Sequence, residues 1–141
     1  MTAENKTKNI NTTALAYVGD AVYEVYIRER VLQMEKVHVD YLHKLAIGYV
    51  NNAGQARAVK QMMKEGFFTE EEVALLKRAR NHKTASKPRN ADPVNYKLAT
   101  AFEALIGWLH LDGRKDRMEE IIFRAIAIIE EPQQKEEQKS E

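Results

Sequence analysis

Cysteine is absent from the 141 residues. That excludes disulfides and any thiolate metal site, and it suits a reducing compartment. No apolar run approaches the length of a membrane span. The first eleven residues are polar and lack the apolar stretch of a signal peptide, so a cytoplasmic protein with no membrane contact is expected. No internal repeat and no convincing strand pattern is present. The four histidines, His38, His43, His82 and His110, form no HExxH-type pair, and zinc chemistry has no obvious ligand set.

What is present is an ordinary globular balance, with 44% hydrophobic and 30% charged residues, and length enough for one domain with a real core. The expected organisation is a flexible N-terminus over 1–11, a helical domain over 12–130 and a disordered acidic tail over 131–141. The net charge of +1 conceals an uneven distribution. Residues 130–141 carry five glutamates and two lysines. Between Lys77 and Lys97, seven cations face Asp92 alone.

The apolar periodicity predicts five or six helices, an all-α fold. A first helix, capped by Thr12 or Thr13, runs to about Leu32, and its density of Leu, Val and Ala predicts burial on most sides. Gly19 in its interior predicts close packing. Asp40 is the expected cap of a second stretch reaching about Lys64, with a possible break at the Asn51-Asn52-Ala53-Gly54 segment and a stop at Gly66. Thr69 with Glu72 forms a capping-box pattern opening a helix to about Asn81. Asp92-Pro93 opens the next, to about Leu111, and Asp112-Gly113 turns the chain into a last helix from about Arg114 to Glu130.

Two acids stand in apolar surroundings. Asp20 lies within Leu-Ala-Tyr-Val-Gly-Asp-Ala-Val-Tyr, and Glu103 within Ala-Thr-Ala-Phe-Glu-Ala-Leu-Ile-Gly-Trp-Leu. A buried carboxylate must be paired, protonated or metal-bound. Periodicity alone leans to a narrow polar stripe or a bridge to a cation. The alternative is a Mg²⁺ site, since Mg²⁺ takes oxygen ligands and is held by one or two carboxylates with water and phosphate. Arg78, Arg80, Lys83, Lys87 and Arg89 flank or occupy a loop over 82–92 that also offers Asn81, Thr84, Ser86 and Asn90. Cations and small polar groups suit phosphate contacts. The loop has no aromatic residue, which favours tracking of a duplex backbone over stacking on single strands. The competing reading is a solvated surface loop.

Tyr17-Val18-Gly19-Asp20-Ala21-Val22-Tyr23-Glu24 resembles the signature helix of the ribonuclease III family, Phe-Leu-Gly-Asp-Ala-Val-Leu-Glu. The segment from Leu98 to Gly107 resembles the family's second motif, Leu-Ala-Asp-x-x-Glu-Ala-Leu-Ile-Gly. Leu45 through Asn51 resembles its middle helix. The Arg78–Asn81 and Lys87–Asp92 segments resemble the loop of the mini-ribonuclease III branch, which has the nuclease domain without a C-terminal double-stranded-RNA-binding domain. The resemblance covers nearly all of 12–130. It implies a ribonuclease III-type helical endonuclease domain, acting as a cytoplasmic homodimer through its Ala- and Gly-rich first helix. It implies Mg²⁺, with Mn²⁺ as a substitute, at Asp20 and Glu103. The metal would activate water to cut double-stranded RNA, leaving 5′-phosphate and 3′-hydroxyl ends. Arg78, Arg80, Lys83, Lys87 and Arg89 would bind the RNA. The implied role is maturation of large-subunit (23S) ribosomal RNA, with a ribosomal protein as a possible partner. Two departures stand out: the family's further acids fall on Ala16 and Thr100. They support the alternative of an inactive domain that only binds structured RNA or a ribosomal partner. Glu24 matches a family position without a ligand role being assigned.

Overall fold

In the computed structural model, which describes residues 10–34, 38–82 and 92–131, every regular element is a helix. These are α1 (Thr12–Leu32), α2 (Val39–Val50), α3 (Asn52–Lys64), α4 (Glu70–Asn81), α5 (Pro93–Leu111) and α6 (Lys115–Glu130). None of them is long and apolar enough to cross a membrane. The expected N-terminal segment and acidic tail fall almost wholly outside the described residues, as does loop 83–91 with Lys83, Lys87 and Arg89.

The sequence's punctuation sets most of the helix ends. Thr69 and Glu72 make both halves of a capping box at the start of α4. Asp92 accepts from the backbone N–H groups of Val94 and Asn95, and Pro93 occupies the first turn of α5. Gly66 and Gly113 adopt φ of 65° and 73°, where a Cβ is costly, and end α3 and α5. The following amides reach back to Met62 and Leu109, closing Schellman turns. Two expected caps are corrected. Asn11, not Thr12 or Thr13, caps α1 by accepting from the Ala14 N–H at 2.8 Å, which leaves Thr12 buried inside the helix. The helix expected to begin after Asp40 begins at Val39, so Asp40 lies in the first turn and acts there through its charge.

The expected break at Asn51 is real and fully satisfied. A helix end leaves four carbonyls without partners. Here the Asn51 amide donates to Ile47 and Gly48. The Tyr23 hydroxyl donates to the Tyr49 carbonyl at 2.9 Å, and Gln55 Nε2 to Val50 at 3.4 Å. The Asn51 side chain also accepts from the Gly54 N–H, starting α3.

The core is built around α5, which packs against α1, α3, α4 and α6. Its middle is buried on almost every side from Ala99 to Leu109. The first helix is not, contrary to expectation: its buried residues are Thr12 and a stripe through Leu15, Ala16, Gly19, Tyr23, Ile27 and Val31. Tyr17, Val25 and Leu32 face outward, Tyr17 with 83% of its surface exposed. Alanine and valine all round the helix obscure which stripe the core takes.

α1 and α5 meet backbone to backbone. A Cβ on Gly19 would lie 1.7 Å from the Glu103 carbonyl oxygen, and one on Gly107 would lie 2.0 Å from that of Leu15. Both helices therefore need glycine where they cross. Tyr23 stacks edge-on against Phe102 at 5.2 Å on one side of the crossing.

At the periphery, the capping residue Glu72 has a second role. It is almost fully buried and receives two bonds from Arg117, at 2.8 and 2.9 Å. Arg117 also donates to the Phe67 carbonyl and lies over the Phe67 ring. Burial pushes the Glu72 carboxyl up, but Arg117 and the Thr69 N–H together outweigh it, and the net shift is downward. A depressed folded-state pKa adds stability above the unfolded carboxylate range and loses it as pH falls through the folded value. Arg117→Ala is therefore expected to cost about 3 kcal/mol at pH 7 by stranding a buried charge. That corresponds to a Tm lower by roughly 10 °C for a domain of this size. The gap to wild type should narrow in acid, as pH falls through the depressed wild-type value and Glu72 becomes protonated in both proteins. Thermal unfolding across pH checks this, and a gap that stays constant into acid would contradict it.

Candidate metal centre

The glycine crossing brings the two singled-out acids together. Asp20 directly follows Gly19. Glu103 precedes Gly107 by four residues, one helical turn, and so shares its face of α5. The two carboxyl groups meet across the seam, near enough for Asp20 to act on the ionisation of Glu103. The expectation that both are buried is corrected for Asp20, which is exposed at the border of the α1 stripe, while Glu103 is half-buried. The desolvation therefore falls on one partner. Burial, then the charge of Asp20, then the hydrogen bond shared with it push the Glu103 carboxyl up to about 8, while Gln55 pulls it down. Two carboxylates this close hold a proton between them unless a cation takes its place.

The donor set suits a hard divalent ion. Two carboxylates, with water or phosphate completing the shell, is an arrangement Mg²⁺ commonly accepts. Among the described residues, no group of three or more His, Cys, Asp or Glu side chains could hold a metal ion. The positions of the two absent acids are informative. Ala16 is buried in the α1 stripe, and Thr100 is half-buried one turn before Glu103. Glu24 pairs with Arg28 on its own helix at 2.8 Å.

Gln55 went unnoticed in the sequence. Its side chain is fully buried on α3, and it acts on Glu103 by favouring the ionised carboxylate. One signal was available: Gln55 stands three, four and seven residues before Ala58, Val59 and Met62, on the apolar face of its helix. Tyr23 is the other neighbour. Burial first, then the charges of Glu103 and Tyr49, raise its hydroxyl pKa, so it remains a neutral donor to the Tyr49 carbonyl. Of the expected RNA-binding cations, Arg78 is exposed near the end of α4, and Arg80 is half-buried with its Nε donating to Asn81. Glu103 lies ten residues, roughly 15 Å, along α5 from Pro93, where the basic loop rejoins the fold.

Known proteins carry the same architecture. The family model for the ribonuclease III domain matches residues 13–114, a span that takes in both Asp20 and Glu103. A mini-ribonuclease 3 of Enterococcus faecalis is 41% identical over 128 residues, covering 91% of this chain and 97% of the relative. One from Staphylococcus aureus is 37% identical over 128 residues, covering 91% and 96%. An X-ray structure of a protein from Fusobacterium nucleatum matches with a TM-score of 0.74 at 33% identity, over 84% of this chain and 93% of that one. With the helical architecture, the spacing of both motifs and these relatives in agreement, the chain belongs to the ribonuclease III family and is an endoribonuclease.

Proposed function

We propose that this endoribonuclease cuts double-stranded RNA with a divalent ion held by Asp20 and Glu103, Mg²⁺ in the cell and Mn²⁺ as a substitute. The observation that carries this reading is the meeting of those two carboxylates, from separate helices, at a backbone crossing that fixes their separation. A bound ion would supply Lewis-acid polarisation of the scissile phosphodiester and a lowered pKa for attacking water. Asp20, exposed at the seam, faces the substrate side. Glu103, behind it and half-buried, anchors the pair to α5. Arg78, Arg80, Lys83, Lys87 and Arg89 neutralise phosphates along the duplex. A precursor of 23S ribosomal RNA as substrate, 5′-phosphate and 3′-hydroxyl ends, a cytoplasmic location and a ribosomal-protein partner rest on the family resemblance. So does the division into terminal segments and a nuclease domain over 12–130.

A homodimer is part of the same reading. Tyr17, Ala21 and Val25 recur at helical spacing on the exposed face of α1, with Val25 55% exposed. An apolar stripe of this kind on a surface helix is what an isologous contact needs. Asp20 borders the stripe, so a two-fold contact there would set two centres at a fixed separation, one for each strand.

Asp20→Asn and Glu103→Gln should each lower cleavage of long duplex RNA by about 10³-fold, the loss expected for several kcal/mol of charge stabilisation. Mg²⁺ should raise the Tm of wild type and of neither variant. In EDTA the order inverts. The raised pKa of Glu103 means that the native state holds an extra proton between about pH 5 and about 8, so wild-type stability falls through that window. Glu103→Gln is free of this and should melt about 3–5 °C above wild type at pH 8. Full cutting by either variant would remove these residues from the mechanism.

Replacing Lys83, Lys87 and Arg89 together by alanine should weaken duplex binding and lower the slope of log affinity against log salt by about 2–3, near one unit for each phosphate left without its cation. An unchanged slope would take the loop out of RNA binding. The double variant Tyr17→Glu, Val25→Glu should sediment as a monomer where the wild type sediments as a dimer; a monomeric wild type would end the two-fold reading.

A further inference from the structure

A groove of about 500 Å³ runs between the second half of α1 and α6. It is separate from the metal centre: Tyr26, its first residue on α1, lies six residues, roughly 9 Å, beyond Asp20 along the helix. On α6 the lining follows one helical stripe, Glu119, Phe123, Ile126 and Glu130. Tyr26, Glu29, Arg30 and Gln33 face it from α1. The apolar part is open. Phe123 has 54% of its surface exposed, its ring edge-on to Tyr26 at 5.9 Å, and Ala127 on the same wall is exposed too. Carboxylates stand at both ends, and the fold holds them in place. Glu119 accepts from the Tyr26 hydroxyl at 2.6 Å, and Glu130 accepts from Arg30 and from the Tyr49 hydroxyl. Glu29, exposed on the α1 rim, has no hydrogen bond or ion pair among the described residues. Three carboxylates thus line the groove against one cation, Arg30, which Glu130 already engages through two nitrogens. A merely solvated face would set polar groups between such acids, whereas this one sets Phe123, Ile126 and Ala127 there.

The charge narrows the occupant. Nucleic acid and anionic lipid both present phosphates, which the carboxylates repel. A second copy seated two-fold on the groove would set the same three carboxylates against their own equivalents. Residues 132–141 of the chain hold three glutamates, two lysines and no Leu, Ile, Val, Met or aromatic residue to fill an apolar groove. What complements the groove is a cation on an apolar stem. Arginine fits best, because its planar guanidinium stacks on an aromatic ring and forks onto a carboxylate. We propose that the α1–α6 groove docks a cationic protein segment, with an apolar anchor over Ile126 and Ala127 and arginines between Phe123 and the carboxylates of Glu29 and Glu119. Glu119 and Glu130 are eleven residues apart on α6, roughly 16 Å, which is room for about three turns of a partner helix. The end carboxylates are fixed before binding, so little freedom is lost in engaging them. Tyr26, Arg30 and Gln33 lie more than about 100° round α1 from Ala21, so the docking face is distinct from the stripe assigned to the two-fold contact. The inference rests on the groove's own chemistry and stands whether or not Asp20 and Glu103 hold an ion.

The probe is a fluorescein-labelled designed helix of about 14 residues, with two leucines four positions apart and arginines on both flanks. Its anisotropy is followed against the full chain without RNA, and wild type should bind with a Kd below about 100 μM. Phe123→Ala should raise that Kd about 10-fold or more, and Glu29→Lys about fivefold. Exchanging the peptide's arginines for lysines should cost about threefold, and exchanging them for glutamates should abolish binding. Both protein variants should cut duplex RNA as wild type does, since neither residue borders the centre. Binding that both variants retain within twofold would put the peptide elsewhere, on Asp20 and Glu103 or on the acidic tail, and would overturn the proposal. So would an absence of binding at about 1 mM peptide. Amide resonances of the wild-type chain give a test free of substitution. Those of Glu29, Gln33, Phe123 and Ala127 should shift on peptide addition, and a shift at Asp20 in their place would overturn the proposal. The other occupants have their own signatures. Phe123→Ala turning a wild-type dimer into a monomer would give the groove to a second copy. The same variant moving the amide resonances of 132–141 would give it to the chain's own tail. Either result overturns the proposal.

Discussion

The contact between Gly19 and Gly107 is the constraint on which the rest of the molecule depends. Each glycine lies where any side chain would overlap a carbonyl of the opposite helix. The axes of α1 and α5 can therefore approach more closely than side-chain packing between two ordinary helices allows. That approach does two things. It buries the middle of α5, around which the other helices assemble, and it carries the residue after Gly19 up to the residue one turn before Gly107. Fold and candidate centre thus share one cause. The same contact has an adverse side, since it forces two carboxylates together in a half-buried seam. A carboxyl kept protonated to about 8 is a group whose ionisation the fold opposes. Such local conflicts are characteristic of functional sites, where stability is given up for chemistry.

Polar groups beyond the crossing make it rigid. The break between α2 and α3 would expose four carbonyls, and side chains from two other places in the chain close it. Tyr23 reaches it from α1, and Gln55 from the first turns of α3. Tyr23 also stacks on Phe102, the neighbour of Glu103. On the far side, the Tyr49 hydroxyl donates to Glu130, which Arg30 also grips. Arg57 from α3 donates to the last carbonyls of α6, at Ile128 and Ile129. These bonds tie α2, α3 and α6 to one another and to α1, the helix that bears Asp20. Most of them join residues far apart in the chain, so the centre's geometry is a property of the whole domain.

The sequence revealed features that act locally. Thr69 with Glu72, Asp92 with Pro93, and the glycines at 66 and 113 operate within one turn, and each marks its helix end where the structure has it. Long-range choices were less legible. Alanine and valine surround α1, so periodicity could not say that Leu15, Gly19 and Tyr23 face inward while Tyr17 and Val25 face out. The burial of Asp20 was misjudged for that reason: its neighbours are apolar, but its angle on the helix puts it at the border of the stripe. Glu72 read as a cap alone because its second partner, Arg117, lies 45 residues away. Gln55 sat in a helix whose other polar residues are exposed or half-buried, and only its register against Ala58, Val59 and Met62 separated it from them.

One of the two absent acids follows from the same packing. Ala16 lies one turn before Asp20, on the inner stripe beside Leu15 and Gly19, where it is 7% exposed. An acid there would sit in the seam, adding a third negative group to a pair that already retains a proton. Alanine instead lets α1 lie close along α5. On the proposed reading, the centre exchanges a ligand for a tighter crossing. Its ion would then draw most of its coordination from water and from the phosphate it acts on. Ion and substrate would in that case favour each other's binding, since each supplies what the other's site lacks, and linkage makes that preference mutual. On that reading, a centre with few protein ligands would make the RNA a part of the metal site.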